Sequence, residues 1–250
     1  MTSNEGRSIP GSDRLRWHRT GAGAVGVALA LMVPAALENG VVPWSPFYCI
    51  YVALAVGLPL VWGTYRFGPP RAVRWWQWAL CPVVAVGCQF LGSIAVHSLS
   101  PVILGALGVP AARMSEPGYD MGAMFDAMFQ AAAPRLGLEV ARVRTLYLGF
   151  LVLWAGLGEE LFYRGYVQSA VRRRRGPGLA IVVAAFLFAI RHYTQMGLLW
   201  PHYPWAAATA WVAIGFLFGL VLGYVYERTR SLWMPVVIHY LFNILPFVLG

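Results

Sequence analysis

Three stretches of this chain, Gly21–Leu37, Trp78–Val96 and Ala206–Tyr226, contain no charged residue. About 20 mainly apolar residues suffice to cross a hydrocarbon core of ~30 Å. Composition supports that use of them. Of 250 residues, 59% are hydrophobic and 12% charged, against about 25% charged in an ordinary soluble domain. Disorder is excluded as well, because disordered chains are poor in aromatics and this one has 11 Trp, 12 Tyr and 13 Phe. The expected fold class is all-α, a polytopic membrane helix bundle of about seven to eight transmembrane helices.

The formal net charge is +9, and every one of the 19 basic residues is Arg. They cluster between apolar runs: Arg14, Arg16 and Arg19; Arg66, Arg71 and Arg74; Arg172 to Arg175; Arg228 and Arg230. A nucleic-acid surface would gather Arg and exposed aromatics on one soluble face. Clusters at the ends of apolar runs instead follow the positive-inside pattern, so no nucleic-acid partner is expected and membrane lipids are. Residues 1–20 read as a cytoplasmic N-terminal tail, and the first apolar run as a retained helix. Alternating crossings then run through residues 21–37, 47–63, 76–99, 146–169, 179–193, 205–226 and 232–249. This threading leaves most of the Arg on the cytoplasmic side of a cytoplasmic (inner) membrane. The Arg in the 100–145 loop are matched by Glu116, Asp120, Asp126 and Glu139.

That loop holds Met121, Met124, Phe125, Met128 and Phe129 at helical spacing, which predicts an amphipathic helix. Residues 101–110 are apolar but too short to span, and suit a re-entrant element. Gly215, Gly219 and Gly223 form a small-residue stripe, whose ordinary meaning is close helix packing. Cys49, Cys81 and Cys88 lack metal-ligand spacing and read as buried small residues. Cys81 and Cys88 would lie about 10.5 Å apart along one helix, too far for a disulfide.

Ionisable groups inside a span are costly and mark function or pairing. Glu159-Glu160-Leu-Phe-Tyr-Arg164 contains three of them. Glu160 and Arg164, at i and i+4, share a face and suit an ion pair. Glu159 lies around the helix from Glu160 and is left for another task. Two further spans carry Phe188-Ala-Ile-Arg191-His192 and His239-Tyr-Leu-Phe-Asn243, the latter again an i, i+4 pair. His18, His97 and His202 lack such polar company and read as interfacial or loop residues. Counting inward from Arg172, Gly178 and Arg230 puts Glu159, His192 and His239 roughly 20, 21 and 14 Å deep, within one slab of the membrane.

A buried carboxylate can serve as general base toward a water, with an imidazole to orient that water. Asn and His side chains can donate to a developing oxyanion. The set thus describes amide hydrolysis by activated water, and no Gly-x-Ser-x-Gly elbow supports an acyl-enzyme route. A zinc site built from His192, His239 and Glu159 is the competing chemistry. Outside hydrolysis, the same Glu and His residues would suit a proton relay in a transporter or channel, although no inverted repeat is evident. An idle scaffold binding a partner through its helices is the third possibility.

At these residues the chain resembles the CPBP intramembrane proteases, relatives of the type II CAAX prenyl endopeptidases once labelled Abi proteins. The resemblance rests on Glu159-Glu160-x-x-x-Arg164, Phe188-x-x-x-His192 and His239-x-x-x-Asn243, and on the run from Phe216 through Ser231-Leu-Trp-Met-Pro235 into the last motif. No position in the three motifs departs from the pattern. It implies a protease core over residues 146–250, with residues 21–145 as additional membrane helices and an extracytoplasmic loop. It further implies a glutamic-type intramembrane endopeptidase acting on a membrane-associated protein or peptide. Glu159 would be the base, His192 its water-orienting partner, and His239 with Asn243 the oxyanion donors. Glu160 and Arg164 would support the site or touch substrate. No cofactor is expected on this reading, zinc remaining the minority alternative. Arg-only basic usage together with abundant Ala and Gly suggests a bacterial source.

Overall fold

The computed structural model describes residue 17 and residues 19–36, 46–62, 73–116, 118–197 and 204–249. Arg14, Arg16, His18, Arg66, Arg71 and His202 lie outside the described residues. Among the described residues every element is helical. In order they are α1 (Gly21–Ala36), α2 (Pro46–Val61), α3 (Trp75–Ala106), α4 (Met121–Leu136) and α5 (Val140–Leu151). Two π-helical segments follow (Val152–Glu159 and Leu161–Gln168), then α6 (Ser169–Arg175), α7 (Pro177–Gly197), α8 (Trp205–Thr229) and α9 (Trp233–Leu249).

The all-helical class therefore holds. The count of seven to eight crossings is met, on length and composition, by two helices: α3 with 32 residues and α8 with 25. Shorter apolar stretches lie at Gly21–Val33, Ile50–Val61, Pro177–Tyr193 and Trp233–Leu245. Along α3, Trp75, Val83, Phe90, Leu91 and Val102 are each exposed. So many large apolar groups left uncovered on one helix mark a contact surface for an apolar medium or partner.

Pro101 does not begin a separate re-entrant element. It lies within α3, which continues to Ala106 and at ~1.5 Å per residue measures about 48 Å. Gly108, at φ 80°, then turns the chain in a conformation that L side chains rarely adopt. The amphipathic helix is present as α4. The Asp120 side chain caps its first turn by accepting from the Ala123 amide at 2.8 Å, and Gly137 ends it in the left-handed region. Its buried face (Met128, Phe129, Ala132, Ala133) packs on Val143 and Tyr147 of α5.

Two ends of the bundle can be told apart by contacts. At one, Arg19 donates to the Trp62 carbonyl at 2.7 Å, and Arg173 donates to the Arg19 carbonyl at 2.6 Å. Glu227 there pairs with Arg172 at 2.7 Å and with Arg230 at 2.6 Å. At the other, Leu104 and Val109 pack with Ala206, Ala207 and Ala208 at the start of α8, and Phe125 of α4 meets Trp211.

The most extensive helix pairing is α7 with α8. Two glycines of the stripe permit it. A Cβ on Gly219 would lie 3.1 Å from Ala185, and one on Gly223 would lie 3.0 Å from Ile181, whereas one on Gly215 would meet nothing within 4 Å. Close packing accounts for two of the three. Of the cysteines, Cys81 and Cys88 are free thiols.

Candidate functional site

The helix that carries the two glutamates runs unbroken from Val140 to Arg175, but it is π-helical on both sides of Glu160. A π-helix closes i→i+5 hydrogen bonds and is wider than an α-helix, so adjacent side chains diverge by less than the α-helical step. Glu159 and Glu160 consequently reach overlapping territory, and His239 of α9 touches both. Its Nδ1 lies 2.8 Å from Glu160 Oε1, and its Nε2 lies 3.9 Å from Glu159 Oε2.

Gly156 is what lets α9 come this close. A Cβ there would lie 1.8 Å from Cε1 of Tyr240, the neighbour of His239. No side chain fits.

Glu160 and Arg164 form the expected pair, with Nη1 3.1 Å from Oε1 and both side chains fully buried. Arg164 is held further by donating Nη2 to the Gly219 carbonyl at 3.1 Å, and its guanidinium lies 4.8 Å from the centre of the Phe188 ring. One turn on, Gln168 donates to the Gly223 carbonyl at 3.0 Å. Two side chains four apart on one helix thus bond two carbonyls four apart on α8.

The second pair was not anticipated. Arg191, 2% exposed, donates from Nη2 to Oε1 of Glu159, also 2% exposed. The same Nη2 lies 2.8 Å from His192 Nε2. A guanidinium has only donors, so Nε2 accepts. His192 Nδ1 then carries the proton that it donates to the Phe188 carbonyl at 2.9 Å. Both contacts require the same neutral tautomer. The group that joins Glu159 to His192 is therefore a guanidinium.

Phe188 explains the first position of its motif. Its ring sits edge-on to His192, His239 and Tyr163 at 4.9, 5.9 and 5.5 Å between centroids. Tyr51 of α2 enters from the N-terminal half, its hydroxyl 3.2 Å from that of Tyr163 and its ring beneath Arg191 at 5.9 Å. Five of the six candidate residues (Glu159, Glu160, Arg164, His192, His239) thus form one connected set, with Arg191 as the added sixth member. Asn243 is half-buried one turn beyond His239 on α9, and among the described residues no hydrogen bond ties it to the others. His97 is remote, bonded to the Ser93 carbonyl of its own helix at 2.8 Å.

A charge count within the spans would have found Arg191. Glu160 and Arg164 neutralise each other, which leaves one carboxylate and one guanidinium that must meet to avoid burying unpaired charge.

The zinc alternative needs His192, His239 and Glu159 to offer lone pairs to one point. His192 Nε2 accepts from Arg191, so its lone pair is taken, whereas His239, with Nδ1 against Glu160, keeps Nε2 free. Among the described residues no three His, Cys, Asp or Glu side chains are grouped to hold a metal ion, and a guanidinium fills the centre of the set. The donors as arranged do not fit the ion.

Residues 141–245 match the family model described as Type II CAAX prenyl endopeptidase Rce1-like. No curated protein and no solved structure matches the chain.

Proposed function

From a segment, residues 141–245, that belongs with the CPBP, CAAX-protease-like family of integral membrane proteases, we propose that the protein is an intramembrane endopeptidase. It hydrolyses a peptide bond in a membrane-associated protein by means of a water activated at Glu159. The observation that carries this reading is the meeting of Glu159, Glu160, Arg164, Arg191, His192 and His239, from three separate stretches of chain, in one connected set inside the matched segment, all buried except the half-buried His192.

Glu159 is the general base. The water oxygen attacks the scissile carbonyl carbon while one water proton passes to the carboxylate, and that proton then goes to the leaving nitrogen as the C–N bond breaks. Glu160 acts through His239. A carboxylate only accepts, so Glu160 fixes the Nδ1 proton and turns Nε2 toward Glu159. His192 is the polar partner of the base, and Asn243, one turn from His239, belongs with the oxyanion. Arg164 holds Glu160 in place. The helices too short to cross unaided complete a bundle in the cytoplasmic membrane, with the N-terminus and the Arg-rich end in the cytoplasm.

The test uses the full chain purified in detergent, with two quenched-fluorescence peptides that share one C-terminal sequence, farnesylated and unmodified. Cleavage of either by the wild type is expected, with at least a 100-fold loss in Glu159→Gln at unchanged helix content. Hydrolysis that survives Glu159→Gln would remove the mechanism.

A further inference from the structure

Arg191 has a place in the chemistry that no motif assigns to it. Arg164 is held as a structural cation would be, by a carboxylate on its own helix and a backbone carbonyl. Arg191 instead bonds the two side chains that the hydrolytic reading uses, Glu159 and His192, through a single nitrogen. At 2% exposed, its charge must keep an anionic neighbour throughout any reaction, because an uncompensated buried cation is strongly unfavourable.

Hydrolysis removes that neighbour. When the water proton arrives on Glu159, the carboxylate becomes neutral. In the same step the O–C bond forms and the carbonyl π pair moves onto oxygen, so one negative charge leaves Glu159 and one appears on the substrate. We infer that Arg191 follows this charge: it is a catalytic residue whose guanidinium passes from the Glu159 carboxylate to the oxyanion of the tetrahedral intermediate. When the C–N bond breaks, the carbonyl re-forms, the proton leaves Glu159 for the amine, and Arg191 returns to the carboxylate. Charge is conserved at each stage, and no ion enters or leaves. A guanidinium fixed beforehand and aimed where charge develops is the kind of donor that stabilises a transition state more than a ground state. The inference rests on the proteolytic reading and adds a donor beside Asn243.

Glu159→Gln mimics the protonated base and can be tested without turnover. In the full-length variant, Arg191 has lost its anion, so a small tetrahedral anion should take the vacated role. At constant ionic strength set with chloride, methylphosphonate at tenfold excess over its dissociation constant should raise the unfolding midpoint of Glu159→Gln by about 3 °C. It should not raise the wild type, where Glu159 holds the guanidinium, nor the Glu159→Gln/Arg191→Met double variant. No rise in the single variant, or an equal rise in the double, overturns the assignment.

Should Glu159→Gln not fold, turnover of the farnesylated peptide decides. Arg191→Met should lower kcat about 100-fold with KM within twofold, and Arg191→Lys should recover part of it. Full activity in Arg191→Met overturns the assignment, as does a loss confined to stability. The two readings fail separately. An anion-dependent rise without cleavage of any peptide keeps Arg191 as an anion site and removes the protease. Cleavage that depends on Glu159 but is indifferent to Arg191 does the reverse.

Discussion

Two glutamate–arginine pairs lie side by side in this site and differ in how they are made. Glu160 and Arg164 belong to one helix, one turn apart, and both are fully buried. The contact forms as that helix forms, and then Gly219, Phe188 and His239 hold it from three other positions. Glu159 and Arg191 belong to different helices, and they meet only once α7 has packed against the glutamate helix. The first pair is fixed by several elements at once. The second is made across a helix–helix contact, with the Tyr51 ring of α2 beneath the guanidinium, and also reaches His192. On the proposed mechanism, adjacent carboxylates of the same chemical type take different work, one holding the pocket together and the other exchanging a proton.

The sharpest way to break this contrast is to neutralise each glutamate in turn. Glu160→Gln removes the charge facing both Arg164 and His239, and should cost about 3–5 kcal/mol of stability, read as a lowered unfolding midpoint in detergent. Glu159→Gln also leaves a buried cation, Arg191, without its carboxylate and should destabilise too, but by less, since Glu160 faces Arg164 and His239 at hydrogen-bond distance and Glu159 faces Arg191. Equal losses would erase the distinction. Its effect falls on hydrolysis instead, a drop of about 10²–10⁴-fold in peptide turnover.

Gly156→Ala sharpens the contrast from the packing side. The added methyl meets the Tyr240 ring and pushes His239 away from both glutamates, at a cost of about 1–3 kcal/mol and with a parallel loss of turnover. A stability loss with turnover intact would show that His239 does not need its present place. The smallest effect serves as the control for burial. Arg144 and Asp126 pair at 2.5 Å between α5 and α4, but both side chains are about half exposed. Arg144→Ala should change stability by about 0–1 kcal/mol and leave hydrolysis unaltered. A larger change would mean that ion-pair geometry, rather than desolvation, sets the strength of the buried pairs.

Apolar runs and motif spacing made the helical class and most of the cluster legible in advance. Glu160 and Arg164 meet because an i, i+4 pair survives the wider helix, and α4 appears where its Met and Phe spacing puts it. The π-helical geometry around Glu160 left no trace, since i, i+4 neighbours such as Glu160 and Arg164 share a face in either kind of helix and their spacing does not tell one from the other. That is why Glu159 was placed around the helix from its neighbour rather than beside it. Pro101 reads as a break, yet α3 absorbs it. Tyr51 was invisible for another reason: it lies more than 100 positions from Tyr163, and nothing local marks a contact of that range.

The bonds from Arg164 and Gln168 to α8 end on backbone oxygens at two glycines. Replacing side chains one at a time along α8 removes neither acceptor, so a mutational scan would miss these two bonds and register their positions only through crowding at Gly219 and Gly223. A map of hydrolytic function drawn from such a scan would show a blank where the polypeptide backbone itself supports the pocket.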